Sequence, residues 1–170
     1  MKFRYAALLR AVNVGGTGKL PMAELKAMCS RAGFENAKTL LASGNVVFEA
    51  DLAIDAARDA LNTELAQYFG QEIGLFVLDA QQMQHVAEEN PFKDHAPSQV
   101  GVLFVDAVPS PEDCANAKGL KDEIMKGGRG VLYIKFPSGM GQSKLVVPSG
   151  KVGTMRNMNT VSKLSALLNA

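Results

Sequence analysis

Short apolar runs and segments of helical period alternate along this chain in one order, and that order then starts again. Residues 3–9 form a strand-like apolar run, and after a loop over 13–19 Pro21 stands at the first turn of an expected helix. Met22, Leu25, Met28, Cys29 and Ala32 keep the helical spacing, and Gly33 suits the C-terminal cap. Residues 38–42 and 46–48 flank Ser43-Gly44-Asn45, a pattern of short side chains and a glycine that marks a hairpin. Asp51 is placed to cap a second helix carrying Ile54, Ala57, Leu61, Leu65 and Tyr68 at 3–4 spacing, with Gly70 closing it. Residues 73–78 are another strand. The order β-α-β-β-α-β is that of a ferredoxin-like unit.

Asp79-Ala80-Gln81-Gln82 has capping-box chemistry for a connecting helix with Met83, Val86 and Ala87 facing inward, ended by Asn90-Pro91. A polar loop over 93–98 marks the boundary. The second half restarts with a strand at 100–105, helix-start chemistry at Ser110-Pro111-Glu112-Asp113, and a hairpin over 123–136 broken by Gly127-Gly128-Arg129-Gly130. Glycine and proline blur the pattern over 139–153. A closing helix over 159–168 carries Val161, Leu164, Leu167 and Leu168 on one face. The expected fold is therefore α+β: two ferredoxin-like βαββαβ lobes in tandem, with antiparallel sheets and helices packed on one face. The expected domains are 1–78, a connecting helix and loop at 79–98, and 99–170.

Composition fits this reading. In 170 residues, 47% hydrophobic and 21% charged residues describe a globular chain, and two lobes that small need shared burial. Arg4 and Arg10 interrupt the N-terminal apolar run, so it falls short of a secretory h-region, and no stretch approaches a membrane span. Cys29 and Cys114, far apart and each within an expected helix, give neither a disulfide framework nor a metal motif. Both are expected to be buried thiols in a reducing, cytoplasmic setting.

The net charge of +1 hides an uneven distribution. Lys2, Arg4, Arg10 and Lys19 stand in an acid-free N-terminal stretch. Lys126, Arg129, Lys135, Lys144, Lys151, Arg156 and Lys163 stand in an acid-free stretch from residue 124 onward. All 17 acids lie between Glu24 and Glu123. Brought onto one face, the two basic stretches would attract phosphates or other anions; pointing several ways, they would be merely solvated.

Most motifs that invite a chemical reading fail. The run Val14-Gly15-Gly16-Thr17-Gly18-Lys19-Leu20 has Asn13 and Leu20 where a P-loop requires glycine and a hydroxyl, and it lacks the third glycine of a dinucleotide fingerprint. A donor-rich loop entering a helix N-terminus survives, with an anion site and a plain connection as its two readings. Gly139-Met140-Gly141-Gln142-Ser143-Lys144 offers a hydroxyl and an ammonium beside glycines. Gly153-Thr154-Met155-Arg156-Asn157-Met158-Asn159-Thr160 enters the last helix, where Asn157, Asn159 and Thr160 can cap it or join Arg156 at a ligand. His85 and His95 have no metal-ligand spacing, Ser43 is not in a nucleophile elbow, and Glu88-Glu89 suits a solvated helix face. No metal or cofactor is expected, and no triad or dyad can be assembled from the sequence, which leaves the catalytic residues of any enzyme unknown.

Several of these segments together resemble the bacterial proteins of domain-of-unknown-function family 1697. The resemblance rests on residues 8–16 (LLRAVNVGG), 20–25 (LPMAEL), 43–48 (SGNVVF), 90–92 (NPF), 141–145 (GQSKL), 156–161 (RNMNTV) and Lys163-Leu164. It implies a tandem ferredoxin-like fold and no established activity. Two positions depart from it: Ala11 stands where glycine is usual, and Met158 where tryptophan is frequent. The segment between Leu145 and Gly153 is also shorter than in many relatives.

The favoured function is an anion-binding module whose ligand is a nucleic acid or nucleotide-like molecule. Its expected contacts are Arg10, Asn13, Lys19, Ser43, Asn45, Ser143, Lys144, Arg156, Asn157, Asn159 and Thr160. Base stacking would fall to Tyr5, Phe48, Tyr133 or Phe136 if any were exposed. The alternatives are an enzyme acting on a small phosphorylated or carboxylated substrate in an interlobe cleft, and a non-catalytic homo-oligomer formed through an edge strand. No membrane partner is expected.

Overall fold

Two four-stranded antiparallel sheets, each with the same strand order, make up the computed structural model, which describes residues 1–10, 19–40, 44–106, 111–151 and 153–170. The chain divides into two compact units, residues 1–82 together with 166–170, and residues 83–165. This is the tandem ferredoxin-like α+β fold that the element order calls for.

The first unit contains β1 (Phe3–Leu9), α1 (Met22–Arg31), β2 (Glu35–Leu40), β3 (Asn45–Ala50), α2 (Ile54–Phe69) and β4 (Leu75–Asp79), in the sheet order β2-β3-β1-β4. The first strand is central: Tyr5 lies opposite Phe48 on one side and Asp79 on the other. Side chains alternate between faces. Tyr5, Ala7 and Leu9 enter a core with Leu25, Met28 and Cys29 of α1 and Ala57, Leu61 and Leu65 of α2. Phe34 and Phe48 stack there with centroids 4.2 Å apart. Ala6 and Leu8, on the other face, are fully buried as well.

Local chemistry sets the helix ends. Gly33 and Gly70 both take left-handed φ at helix C-termini, where a side chain would be strained, and Gly70 donates its N–H to the Ala66 carbonyl. Pro21 occupies the N-cap of α1 rather than its first turn. Asp51 does not cap α2. The helix starts at Ile54 with Ala53 at the cap position, leaving Asp51 two residues too early, where it faces the N-terminal amine at 3.4 Å. The connecting helix α3 (Ala80–Glu88) does open on the expected capping box: Gln82 N–H donates to Asp79 Oδ1, and Asp79 N–H to Gln82 Oε1.

The second unit contains β5 (Val100–Phe104), α4 (Pro111–Ala115), β6 (Ile124–Gly127), β7 (Val131–Lys135), β8 (Thr154–Asn157) and most of α5 (Met158–Leu168), in the sheet order β6-β7-β5-β8. Each lobe has a left-handed glycine at the same register: Leu9 N–H donates to the Gly44 carbonyl, and Val105 N–H to the Gly130 carbonyl. The helical layer differs. Where the first lobe has the sixteen-residue α2, the second has only 3₁₀ turns at Met140–Gln142 and Pro148–Lys151. Gly139, Gly141, Pro148 and Gly150 account for that, since glycine and proline are the weakest helix formers. Leu103, Val105, Leu132, Ile134, Phe136 and Val147 form the core on this face.

Gly101 is obligatory at its place on β5. A Cβ there would stand 2.8 Å from the Phe136 ring and 3.0 Å from the Met155 sulfur. Gly101→Ala is expected to destabilise the protein by about 1–3 kcal/mol through overpacking. Gly141→Ala, whose Cβ meets nothing within 4 Å, should stay within about 0.5–1 kcal/mol of the parent. Urea unfolding of the two variants checks both.

Candidate functional site

Strand ends, rather than strand faces, carry the chemistry of the first unit. β1 runs into Arg10, whose backbone N–H donates to the Gly74 carbonyl at 3.2 Å. The side chain of Arg10 lies along Gly74, where a Cβ would come within 3.3 Å of its Cδ. Arg10 Nε is buried and has no hydrogen-bond partner among the described residues. The same end of the sheet holds Gly44, bonded to Leu9, and Asn45, opposite Leu8. Topology thus gathers Arg10, the β2–β3 hairpin and the α2–β4 turn at one edge.

Lys19 and Tyr68 join this edge. Tyr68 lies in the last turn of α2, and its hydroxyl reaches the Lys19 carbonyl at 3.5 Å. The helical spacing places Tyr68 with the core, but the structure leaves it 45% exposed, while Leu61 and Leu65 are fully buried. Its ring meets Phe69 edge-on, and it is Phe69, the next residue, that packs against the core. The aromatic residues first considered for stacking, Tyr5, Phe48, Tyr133 and Phe136, are all buried. Sequence reasoning missed Tyr68 because the 3–4 spacing fits it as well as Phe69, and only the fold shows that Phe69 is the one turned to the core.

The charges in this unit sort themselves. Lys2 pairs with Glu35, Arg4 with Glu49, Arg31 with Glu24 and Glu64, and Arg58 with Asp55. Among the described residues, Arg10, Lys19, Lys26 and Lys38 are in no ion pair. Glu72, exposed in the Gly70–Gly74 turn, is the acid of that turn. Asn13 and Ser43 lie outside the described residues. Asn45 is fully buried, and its Nδ2 donates to the Leu40 carbonyl at 2.8 Å, tying the two hairpin strands together.

In the second unit the polar residues of the last motif are largely used within the fold. Asn157 Oδ1 accepts the Thr160 N–H at 3.0 Å, an N-cap bond on α5. Arg156, 7% exposed, donates Nη1 to Thr154 Oγ1 at 2.6 Å and to the Met155 carbonyl at 2.9 Å. Burial pushes its guanidinium down to about 10. Met158 is buried and packs as a core residue, while Asn159 is exposed. Ser143 Oγ accepts the Leu145 N–H at 3.1 Å, and Lys144 next to it is exposed. Among the described residues no three His, Cys, Asp or Glu converge as a metal site, and no helix is long and apolar enough to cross a membrane.

Fold and sheet-edge site define an α+β protein of two ferredoxin-like lobes with an arginine where its first strand ends whose Nε has no partner among the described residues. Residues 2–133 match the family described as "Protein of unknown function (DUF1697)", and the chain belongs to that family. The structure of the conserved bacterial protein SP0830 from Streptococcus pneumoniae is similar over 99% of both chains, with a TM-score of 0.78 and 25% identity. No curated protein matches the chain.

The two thiols differ, contrary to the expectation that both are buried. Cys29 is enclosed in the first core and burial pushes its thiol up to about 12, whereas Cys114 is exposed on the short helix α4. Because the Cys29 thiol is harder to ionise in the folded state, its contribution to stability is intact below the unfolded thiol's ordinary range and is lost as pH rises above it. Ellman's reagent is expected to titrate one thiol in the folded protein and two in urea; Cys114→Ser should remove the fast-reacting one.

Proposed function

We propose that the protein is an anion-binding module whose ligand is a nucleic acid or nucleotide-like molecule. The reading is carried by Arg10, whose buried Nε has no acceptor among the described residues. A guanidinium presents a planar fork of donors that a phosphate matches, and a buried donor left without a partner is costly. Exposed Lys19 adds a second positive charge, and the exposed ring of Tyr68 beside it supplies a face on which a base can stack. The proposal takes the chain as a bacterial protein, as its solved neighbour is, and as cytoplasmic, a setting that suits its two free cysteines.

Fluorescence anisotropy with a labelled single-stranded oligonucleotide, and with a labelled mononucleotide, tests this across a salt series. Affinity is expected to fall linearly with the logarithm of salt, and Arg10→Gln should flatten that slope by about 0.7, one phosphate contact. Tyr68→Ala should weaken binding by about 1–3 kcal/mol without changing the slope. Binding that is absent, or indifferent to salt, would remove the proposal.

A further inference from the structure

The Arg10 side chain is held along its length. Its backbone N–H donates to the Gly74 carbonyl at 3.2 Å, and its stem runs over the bare backbone of Gly74. A Cβ on Gly74 would meet Arg10 Cδ at 3.3 Å and Arg10 Cβ at 3.4 Å, and the Gly74 φ of +78° would strain any side chain there. The stem is thereby fixed, and the Nε is enclosed without a partner among the described residues. The Nε–H and one Nη–H of a guanidinium lie parallel and grip two oxygens of one anion. An enclosed donor of this kind is reached by oxygens that lead the ligand in. A phosphomonoester ends in three such oxygens and carries about −1.5 to −2 charges at neutral pH. A phosphodiester within a strand offers fewer oxygens and less charge, and has a sugar on either side.

The charge of the surrounding unit points the same way. Residues 1–82 with 166–170 carry nine acidic side chains against eight basic ones, and Lys2, Arg4, Arg31 and Arg58 are already paired with acids. Glu72 is exposed in the same turn as Gly74, so a strand continuing past this turn would bring its next phosphate toward a like charge. A groove that tracks a polyanion is lined by positive charge, which an acidic unit does not supply. One phosphate suits this edge better than a run of them.

Resting on the reading of this edge as an anion site, we propose that it selects a terminal phosphate, the phosphomonoester of a mononucleotide or of a strand end. Gly74 is the positioning residue that keeps the Arg10 donor in place. Isothermal titration of the full chain compares AMP, its phosphate methyl ester and adenosine, and one oligonucleotide with and without a 5′-phosphate. AMP is expected to bind roughly tenfold tighter than its methyl ester, which shares base and ribose. The same gain for the 5′-phosphorylated oligonucleotide over its 5′-hydroxyl form would assign strand ends as well; a gain confined to AMP would assign the free nucleotide. Arg10→Lys, which keeps a charge but loses the fork, should cut the preference for AMP to roughly twofold. Gly74→Ala should cut it likewise, whereas a merely destabilising change would leave that ratio alone. Should Gly74→Ala not fold, the ligand series on the parent chain still decides. AMP and its methyl ester binding equally, both more weakly as salt rises, would overturn the selection of a terminal phosphate and leave the anion site standing. No salt-dependent binding by any of the five would overturn both.

Discussion

Each sheet depends on a strand that is hydrogen-bonded along both edges and covered on both faces. In the first lobe β1 forms ladders with β3 and β4, and Ala6, Ala7, Leu8 and Leu9 are all fully buried. In the second, β5 forms ladders with β7 and β8, and Val100–Phe104 is buried throughout. A strand so enclosed cannot carry a charge along its centre, because an unpaired buried charge is too costly. The arginines nearest it are displaced to its ends. Arg4, toward the start, finds Glu49 on the neighbouring strand, while Arg10, just past the end, finds no acceptor among the described residues. The same constraint that builds the sheet thus delivers a guanidinium to its edge.

Strand duplication with unequal covering explains much of the rest. Both lobes need a tight hairpin beside the central strand, and both place a glycine of positive φ there, Gly44 and Gly130. They part company in the second helical layer. Ala57, Leu61 and Leu65 of α2 close the first core, whereas a strap rich in glycine and proline closes the second only in part. Met140 and Met155 crowd over Gly101 at that face, flexible thioethers filling a surface that no regular helix covers.

Element order and strand pairing were legible in the sequence because apolar period and turn residues report burial directly. The capping box at Asp79 and Gln82 was legible for the same reason: its four atoms are local. What depends on neighbours distant in sequence was not. Asp51 has capping chemistry, yet the helix begins three residues later. Tyr68 follows the core spacing, yet is 45% exposed while Phe69 beside it packs against the core. Cys114 belongs to a five-residue helix too short to bury it. Among the candidate contacts, Asn45, Ser143, Asn157 and Thr160 have polar groups engaged within the fold, since the residue types that bind ligands are also those that pin hairpins and cap helices. Arg10 stood out only once its surroundings were known.

The side-chain Nε–H resonance of Arg10 offers the most direct view of the proposed anion site. In a ¹H–¹⁵N spectrum of the folded protein, adding a mononucleotide should shift that signal and slow its exchange with water, as a buried donor gains an acceptor. Arg4 and Arg31, already paired with carboxylates, should stay in place. An Arg10 signal that remains fixed at saturating nucleotide, or that moves no more than those of the paired arginines, would contradict the assignment of this edge as a phosphate site.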